Sequence, residues 1–249
     1  MNAGRWERAA EQYARGEHSS GDDLQLAVEF AAPKGTERLL DIGSGGGHMA
    51  LAFSSRVASV ILTDPVQAML DASRRVFKEA GRSNAEFISA AAEKLPFESG
   101  AFEIVSSRLA AHHFEDLDGA WQEIRRVLKP SGIFILVDSV APDDPGSARF
   151  LHDVETQRDP THRHTLTRDQ WVRVTESNRF RVERTEVVRK SHSFEPWLER
   201  GGEDAATMAR VRARFAGAPP TVRATLDIVV RGEAVTSFTD SKLVLAARP

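Results

Sequence analysis

The sequence predicts an α/β fold: a Rossmann-like, seven-stranded, mostly parallel sheet with helices on both faces and an antiparallel last strand. Three observations carry this. Apolar runs of strand length alternate with helix-length amphipathic stretches from Arg38 to Ser139. The run Leu39-Leu40-Asp41-Ile42 breaks straight into Gly43-Ser44-Gly45-Gly46-Gly47, a strand end followed by backbone that a ligand can approach where a β-carbon would obstruct it. The next run, Val60-Ile61-Leu62-Thr63, ends in Asp64, placed to take both hydroxyls of a ribose. Together they imply a nucleoside-bearing cofactor at the ends of two neighbouring parallel strands.

In chain order, Arg5 to Arg15 reads as an amphipathic helix with Trp6, Ala9, Ala10 and Tyr13 on one stripe. A polar loop, Gly16 to Asp23, leads to a short helix over Leu24 to Ala32, ended by Pro33-Lys34-Gly35. Strand one covers Arg38 to Ile42, and a helix follows from Gly47. Strand two covers Ser59 to Thr63, and a helix from Val66 to Ala80 is closed by Gly81. Strand three lies at Glu86 to Ile88, strand four at Phe102 to Ser106, and a helix at Leu117 to Leu128. Pro130-Ser131-Gly132 turns into strand five, Ile133 to Ser139. Helices of this length between strands imply right-handed crossovers and a parallel sheet buried on both faces. Beyond Ser139 come a helix to Gln157, a helix over Arg168 to Ser177 and a strand over Phe180 to Val188. Residues 191–222, rich in glycine and proline, read as an inserted lid with one short helix, and Ser237 to Ala246 as the antiparallel last strand.

The glycine spacing narrows the cofactor. A dinucleotide fingerprint needs a third glycine at the position of His48, and no Gly-Lys-Ser/Thr phosphate loop exists. A short-chain nicotinamide oxidoreductase is further disfavoured because Tyr13, the only tyrosine, has Glu17 rather than lysine four positions on. Asp-x-Gly-x-Gly-x-Gly remains, and other motifs follow in order: Asp64 with Met69-Leu70, Ala92-Glu93-Lys94-Leu95-Pro96-Phe97, His112-His113-Phe114, and Arg126-Val127-Leu128-Lys129-Pro130-Ser131-Gly132. In these, residues 10 to 140 resemble the class I S-adenosylmethionine-dependent methyltransferases, above all those of ubiquinone and menaquinone biosynthesis and bacterial proteins of the YcgJ type.

The resemblance implies S-adenosyl-L-methionine as cofactor, held by Asp41, Gly43, Ser44, Gly45, Gly47, Asp64, Pro65, Met69, Ala92, Glu93 and Ser107, with Tyr13 and His18 on an N-terminal segment that folds over it. Ala91 stands where relatives often carry an acidic or polar residue, which leaves the adenine to the backbone of Ala92 and Glu93 and to apolar packing. It also implies a single domain over residues 1–249: an N-terminal helical cover (1–34), a cofactor-binding core (35–140) and a substrate-side part with helices, lid and the last two strands (141–249).

Arg108, His112 and His113 follow strand four, beside the crevice where the order of an open sheet reverses. Histidine there accepts a proton near neutral pH, so these three are the catalytic candidates, with one of the two histidines expected to be functional. His152, His162 and His164, with Asp159, Pro160 and Arg163, form the densest polar cluster outside the motifs. These histidines and Trp197 in the lid are candidates for contact with substrate. No third ligand completes a metal site, and none is expected.

Composition excludes other classes. Charges nearly cancel, 33 basic against 36 acidic, which argues against nucleic acid or an anionic membrane as partner. The basic residues between Arg179 and Arg189 alternate with apolar ones, as on the solvated face of a strand. There is no cysteine, hence no disulfide and no thiol catalysis. With no apolar leader stretch and no 18-residue apolar run, a soluble cytoplasmic enzyme is expected. The expected activity is methyl transfer to an O, N or C atom of a small organic molecule; the alternative is a protein of this fold that binds the same cofactor for a non-methylating reaction or for regulation. The oligomeric state is open.

Overall fold

The computed structural model describes Ala10 and residues 21–201 and 203–249. The helix expected over Arg5 to Arg15, with Tyr13, and the loop carrying His18 lie outside the described residues.

Five parallel strands build the cofactor half. They are β1 (Arg38–Ile42), β2 (Ser59–Thr63), β3 (Ala85–Ile88), β4 (Phe102–Arg108) and β5 (Leu128–Val140). Two long strands complete the main path, β6 (Arg181–Ser193) and β8 (Ala234–Arg248), in the order β3-β2-β1-β4-β5-β8-β6. β8 runs antiparallel to both β5 and β6, as the sequence predicts for the last strand. The sheet has eight strands rather than seven. The extra one, β7 (Val229–Arg231), makes a hairpin with β8 through Gly232, whose φ of 62° suits glycine. Its three residues are too few to show a period, and they form a strand because β8 offers them an edge.

Nine helices lie among the described residues. α1 (Asp22–Ala31), α2 (His48–Ser54) and α3 (Gln67–Glu79) pack on one face, where Phe30, Phe53 and Phe77 meet Leu39, Ile104 and Ile135. α4 (Leu117–Val127) and α6 (Arg168–Ser177) cover the other. There Trp121 stacks on Trp171 at 6.0 Å, and both indole N–H groups find acceptors, Thr175 Oγ1 and the carbonyl of Ser139. Alternate residues of β5 serve the two faces, Phe134 and Leu136 one, Ile133 and Ile135 the other, which is why the run is apolar without a break. Large side chains buried this completely contribute roughly 1.5–3 kcal/mol each.

Several boundaries differ from expectation. β4 extends two residues further, bringing Ser107 and Arg108 onto the strand end. Leu128 already pairs with Phe102, and the next matched pair is Ile104 with Ile133, so Pro130-Ser131-Gly132 bulges out within β5 instead of preceding it. β6 continues to Ser193, into the expected lid. It closes the sheet edge with the charged, mainly exposed pattern that hinders pairing with another chain. The lid holds three helices rather than one: α7 (Phe194–Glu199), α8 (Ala205–Ala216) and α9 (Pro220–Thr225). With α5 (Pro145–Arg158) they enclose a separate core of Phe150, Phe194, Trp197, Phe215 and Phe238.

Candidate active site

The strand order reverses between β1 and β4, and a cavity of ≈ 290 Å³ opens at the carboxyl ends of β1, β2 and β4. One wall is the glycine loop. Gly43, Gly45 and Gly47 all have positive φ (64°, 49° and 78°), which only glycine adopts without strain. Gly43 is also fixed by space, because a β-carbon there would fall 2.5 Å from that of Ala110. A β-carbon on Gly45, which lines the cavity, would meet no atom of the described residues within 4 Å.

Asp64, at the end of β2, closes the loop. One oxygen accepts from the amide of Gly45 at 3.0 Å and the other from Val66 at 2.9 Å, while the Ser73 hydroxyl donates to the Gly45 carbonyl at 2.6 Å. Each carboxylate oxygen has two acceptor sites, so both keep one to offer a ligand. Burial pushes the Asp64 pKa up to about 6 despite these two amides. Asp41, at the end of β1, is buried more completely; burial raises it to about 7, although the Ser106 hydroxyl donates to its Oδ1 at 2.7 Å.

Those residues fit the cofactor that the motifs imply. Among the described residues, Ser44 Oγ and Ser107 Oγ are buried with no hydrogen-bond partner, as is Asp41 Oδ2 apart from the nearby amide of Ala50. Such groups are costly unless a ligand satisfies them. Asp41, Gly43, Ser44, Gly45, Asp64, Pro65, Met69, Ala92 and Glu93 line the cavity, whereas Gly47 and Ser107 stand behind it. Glu93 also accepts from the amide of Glu115 at 2.9 Å, which ties the loop after β3 to the start of α4.

Further lining comes from the end of β4 and the residues after it, and from Pro160, Thr161 and Arg163. Arg108 lines the cavity, and its Nε donates to Asp23 at the start of α1 at 2.6 Å, a pair almost wholly buried. Leu109 follows with a φ of 52°, an uncommon conformation for a branched side chain and one that clusters at functional sites. The two adjacent histidines part company. His112 turns inward, its Nδ1 2.5 Å from Asp138 on β5. His113 faces the cavity, and its Nδ1 lies 3.1 Å from the carbonyl of Thr161. Burial works against a charge on His112, but the Asp138 carboxylate outweighs it and raises the pKa. Burial, and then the charge of His112, hold His113 well below the usual imidazole range, so it is unprotonated at neutral pH.

The remaining candidates lie outside the cavity wall. His162 packs beside His112, ring centroids 5.0 Å apart, and bonds Thr165 Oγ1 at 2.7 Å. His152 is exposed and bonds the same hydroxyl at 2.9 Å. The ring of His164 bonds the carbonyl of Phe114 at 2.9 Å. Trp197 is buried in the lid's own core beneath the Arg158 guanidinium, 4.4 Å from the ring centre. Among the described residues no group of three or more His, Asp or Glu side chains is arranged to hold a metal ion, and no helix is long and apolar enough to cross a membrane.

Sequence reasoning missed Val66, Leu109, Phe114 and Thr161 on the wall, and Asp138 behind it. Asp138 left a signal, a lone acid in the apolar run Ile133 to Val140, where a buried charge requires a partner. Val66, Leu109 and Phe114 directly follow the candidates Pro65, Arg108 and His113, so adjacency was their signal; Thr161 left none, because its neighbours on the wall are distant in sequence.

Comparison with known proteins agrees with this geometry. A family profile described as a methyltransferase domain matches residues 40–136, the stretch that supplies most of the cavity's lining. The methyltransferase YcgJ of Bacillus subtilis strain 168 is 36% identical over 187 residues, 75% of this chain and 74% of YcgJ. The chain belongs to the class I S-adenosylmethionine-dependent methyltransferases. Its cofactor is S-adenosyl-L-methionine. The crystal structure of YcgJ superposes on this methyltransferase with a TM-score of 0.85, covering 91% of this chain and 97% of YcgJ. That of BH2331 from Bacillus halodurans C-125 superposes with a TM-score of 0.86 at 32% identity, covering 92% and 99%. The ubiquinone/menaquinone biosynthesis C-methyltransferase UbiE of Pseudomonas putida is 32% identical over 122 residues, 47% of this chain and 48% of UbiE.

Proposed function

We propose that this enzyme methylates an O, N or C atom of a small organic molecule, with the cofactor against the glycine loop and Asp64 and the acceptor against the wall that carries His113. The observation that carries the reading is that His113 and the glycine loop line one cavity. When bound, the cofactor supplies a methyl group already activated on a sulfonium. The chain's own residues then have three tasks. Asp64 would accept the ribose hydroxyls, and the glycine turn, whose Ser44, Gly45 and Gly47 amides are committed to Thr63, Asp64 and Ser44, would let the cofactor approach the backbone closely, with Asp41, Ser44 and Ser107 supplying buried polar atoms behind it. Leu109, Phe114 and Pro160 shape a dry space in which acceptor and methyl carbon align. His113 lines the same cavity and is placed to accept the proton that the acceptor loses. With its pKa held well below the usual imidazole range, it is a weaker base than free imidazole and suits an acceptor that is itself acidic.

Arg108 takes a positioning role, because its pair with Asp23 joins α1 to the cavity mouth. His152, His162, His164 and Trp197, placed away from the cavity, are support for it rather than contacts with the acceptor. The quinone precursors that UbiE is named for belong to the class to test first, together with other phenols, amines and enolisable acids. The test is release of S-adenosylhomocysteine across such a panel. Turnover with one acceptor supports the reading; cofactor binding without turnover on any of them favours a non-methylating use of the pocket.

A further inference from the structure

Thr161 lines the cavity beside His113 and presents it with two oxygens. Its carbonyl lies 3.1 Å and its Oγ1 3.2 Å from His113 Nδ1. Asp159 in turn holds Thr161: one carboxylate oxygen, Oδ1, accepts from the Thr161 amide at 2.9 Å and from the Thr161 hydroxyl at 2.6 Å. Asp159 and Thr161 thus form a tight unit at the end of α5, with Asp159 only 3% exposed. The other Asp159 oxygen lies 4.0 Å from His113 Nε2, beyond hydrogen-bonding distance.

The donor and acceptor inventory settles the direction of every bond in this set. A carboxylate only accepts, and a hydroxyl has one hydrogen to give. The Thr161 hydrogen is therefore committed to Asp159, and Oγ1 turns a lone pair toward the imidazole. The Thr161 carbonyl likewise only accepts. Nδ1 of His113 faces two acceptors and must carry the ring hydrogen itself. A neutral imidazole has one such hydrogen, so the lone pair resides on Nε2.

We propose that Asp159 and Thr161 are positioning residues for methyl transfer, holding His113 in the tautomer whose basic nitrogen is Nε2. In the transfer the lone pair of an O or N acceptor, or the C–H pair of a carbon acid, becomes the new bond to the methyl carbon, the carbon–sulfur pair returns to sulfur, and the acceptor's proton passes to the Nε2 lone pair. An O or N acceptor keeps the pair of its broken bond to hydrogen. The imidazolium so formed keeps its Nδ1 hydrogen on Thr161, whose hydroxyl stays oriented by the Asp159 carboxylate. This proposal rests on the reading of His113 as the base, while the tautomer itself is measurable without any acceptor.

The test is a long-range ¹H–¹⁵N correlation spectrum of the histidine-labelled protein at neutral pH, with His113 assigned by its loss in His113→Gln. The full-length protein is expected to show His113 protonated at Nδ1 and unprotonated at Nε2. In Asp159→Ala the Thr161 hydroxyl is released to donate to the ring, and in Thr161→Val one of the two acceptors is lost. Both are expected to shift the tautomer ratio toward Nε2–H by at least about threefold. Asp159→Asn, which keeps an acceptor oxygen, is expected to retain the parent form, and binding of S-adenosylhomocysteine reports that each variant is folded. A parent His113 carrying its proton on Nε2, or a ratio unmoved in both Asp159→Ala and Thr161→Val, overturns the proposal. The two readings fail separately: full methyl transfer by His113→Gln removes the base and leaves the tautomer result standing.

Discussion

His112 Nδ1 lies 2.5 Å from Asp138 Oδ1, and that carboxylate has no exposed surface. The pair separates two neighbouring histidines that the sequence leaves equivalent: His112 is committed to the interior and His113 to the cavity. Removing His112 strands a buried charge, which costs about 3–5 kcal/mol. His112→Ala is therefore expected to lower stability by that order in denaturant titrations. His113→Ala is expected to leave stability near the parent's and to cut turnover by roughly 10²–10⁴ with cofactor affinity unchanged. The opposite assignment of the two effects would contradict the geometry.

The same pair gives stability a pH window. Asp138 is lowered from an ordinary value of 3.8, so its contribution exists above that value and is lost as pH falls through the folded-state pKa. His112 is raised from 6.5, so its contribution is complete below 6.5 and is lost as pH rises through the folded-state pKa. The parent's stability advantage over His112→Ala is expected to be greatest between these two values and to shrink above and below them.

Asp41 behaves in the reverse way. Its pKa rises from 3.8 to about 7, so its contribution is complete below 3.8 and is lost as pH rises through about 7. Asp41→Asn is expected to match the parent below about pH 4 and to exceed it near pH 8, by on the order of 4 kcal/mol. The same change is expected to weaken cofactor binding. Equal stability of the two proteins at pH 8 would mean that Asp41 is not held against its charge.

Two glycines of one loop are expected to fail differently. Gly43→Ala drives a methyl into Ala110 and is expected to destabilise by about 1–3 kcal/mol. Gly45→Ala meets no atom of the described residues, so its folding cost there is that of its backbone, about 1 kcal/mol. Its main effect is expected on affinity for S-adenosylhomocysteine, read by calorimetry. The structure thus favours alanine over valine as the probe at Gly45, because a branched side chain at a φ of 49° would strain the backbone as well.

The parts of this fold that were legible in the sequence are those whose demands are local. Gly43, Gly45 and Asp64 mark a strand end, a left-handed turn and a second strand end within one crossover, and each states its requirement in its own residue type. What was not legible depends on distant neighbours. Trp197 in a glycine-rich stretch reads equally as a cover for a ligand or as core, and only the packing of Phe215 and Phe238 around it decides for core. The amides of Arg163 and His164 both donate to the His112 carbonyl, at 2.9 and 3.1 Å, and this long-range pairing brings residues 159–164 behind the β4 histidines. No spacing in the chain announces it. Trp197→Ala is accordingly expected to lower stability by roughly 3–5 kcal/mol while cofactor affinity stays unchanged, which a thermal melt with and without S-adenosylhomocysteine would show.

The central claim is that the cofactor lies across the ends of β1 and β2 with its ribose on Asp64, and calorimetric titration of S-adenosylhomocysteine into the parent, Asp64→Ala and Asp64→Asn tests it most directly. Hydrogen bonds to an ionised carboxylate are worth roughly 1.5–3 kcal/mol each. Asp64→Ala is expected to bind at least about tenfold more weakly than the parent, and Asp64→Asn to fall between them. Equal affinity in all three would contradict the account and reduce Asp64 to a brace for the amides of Gly45 and Val66.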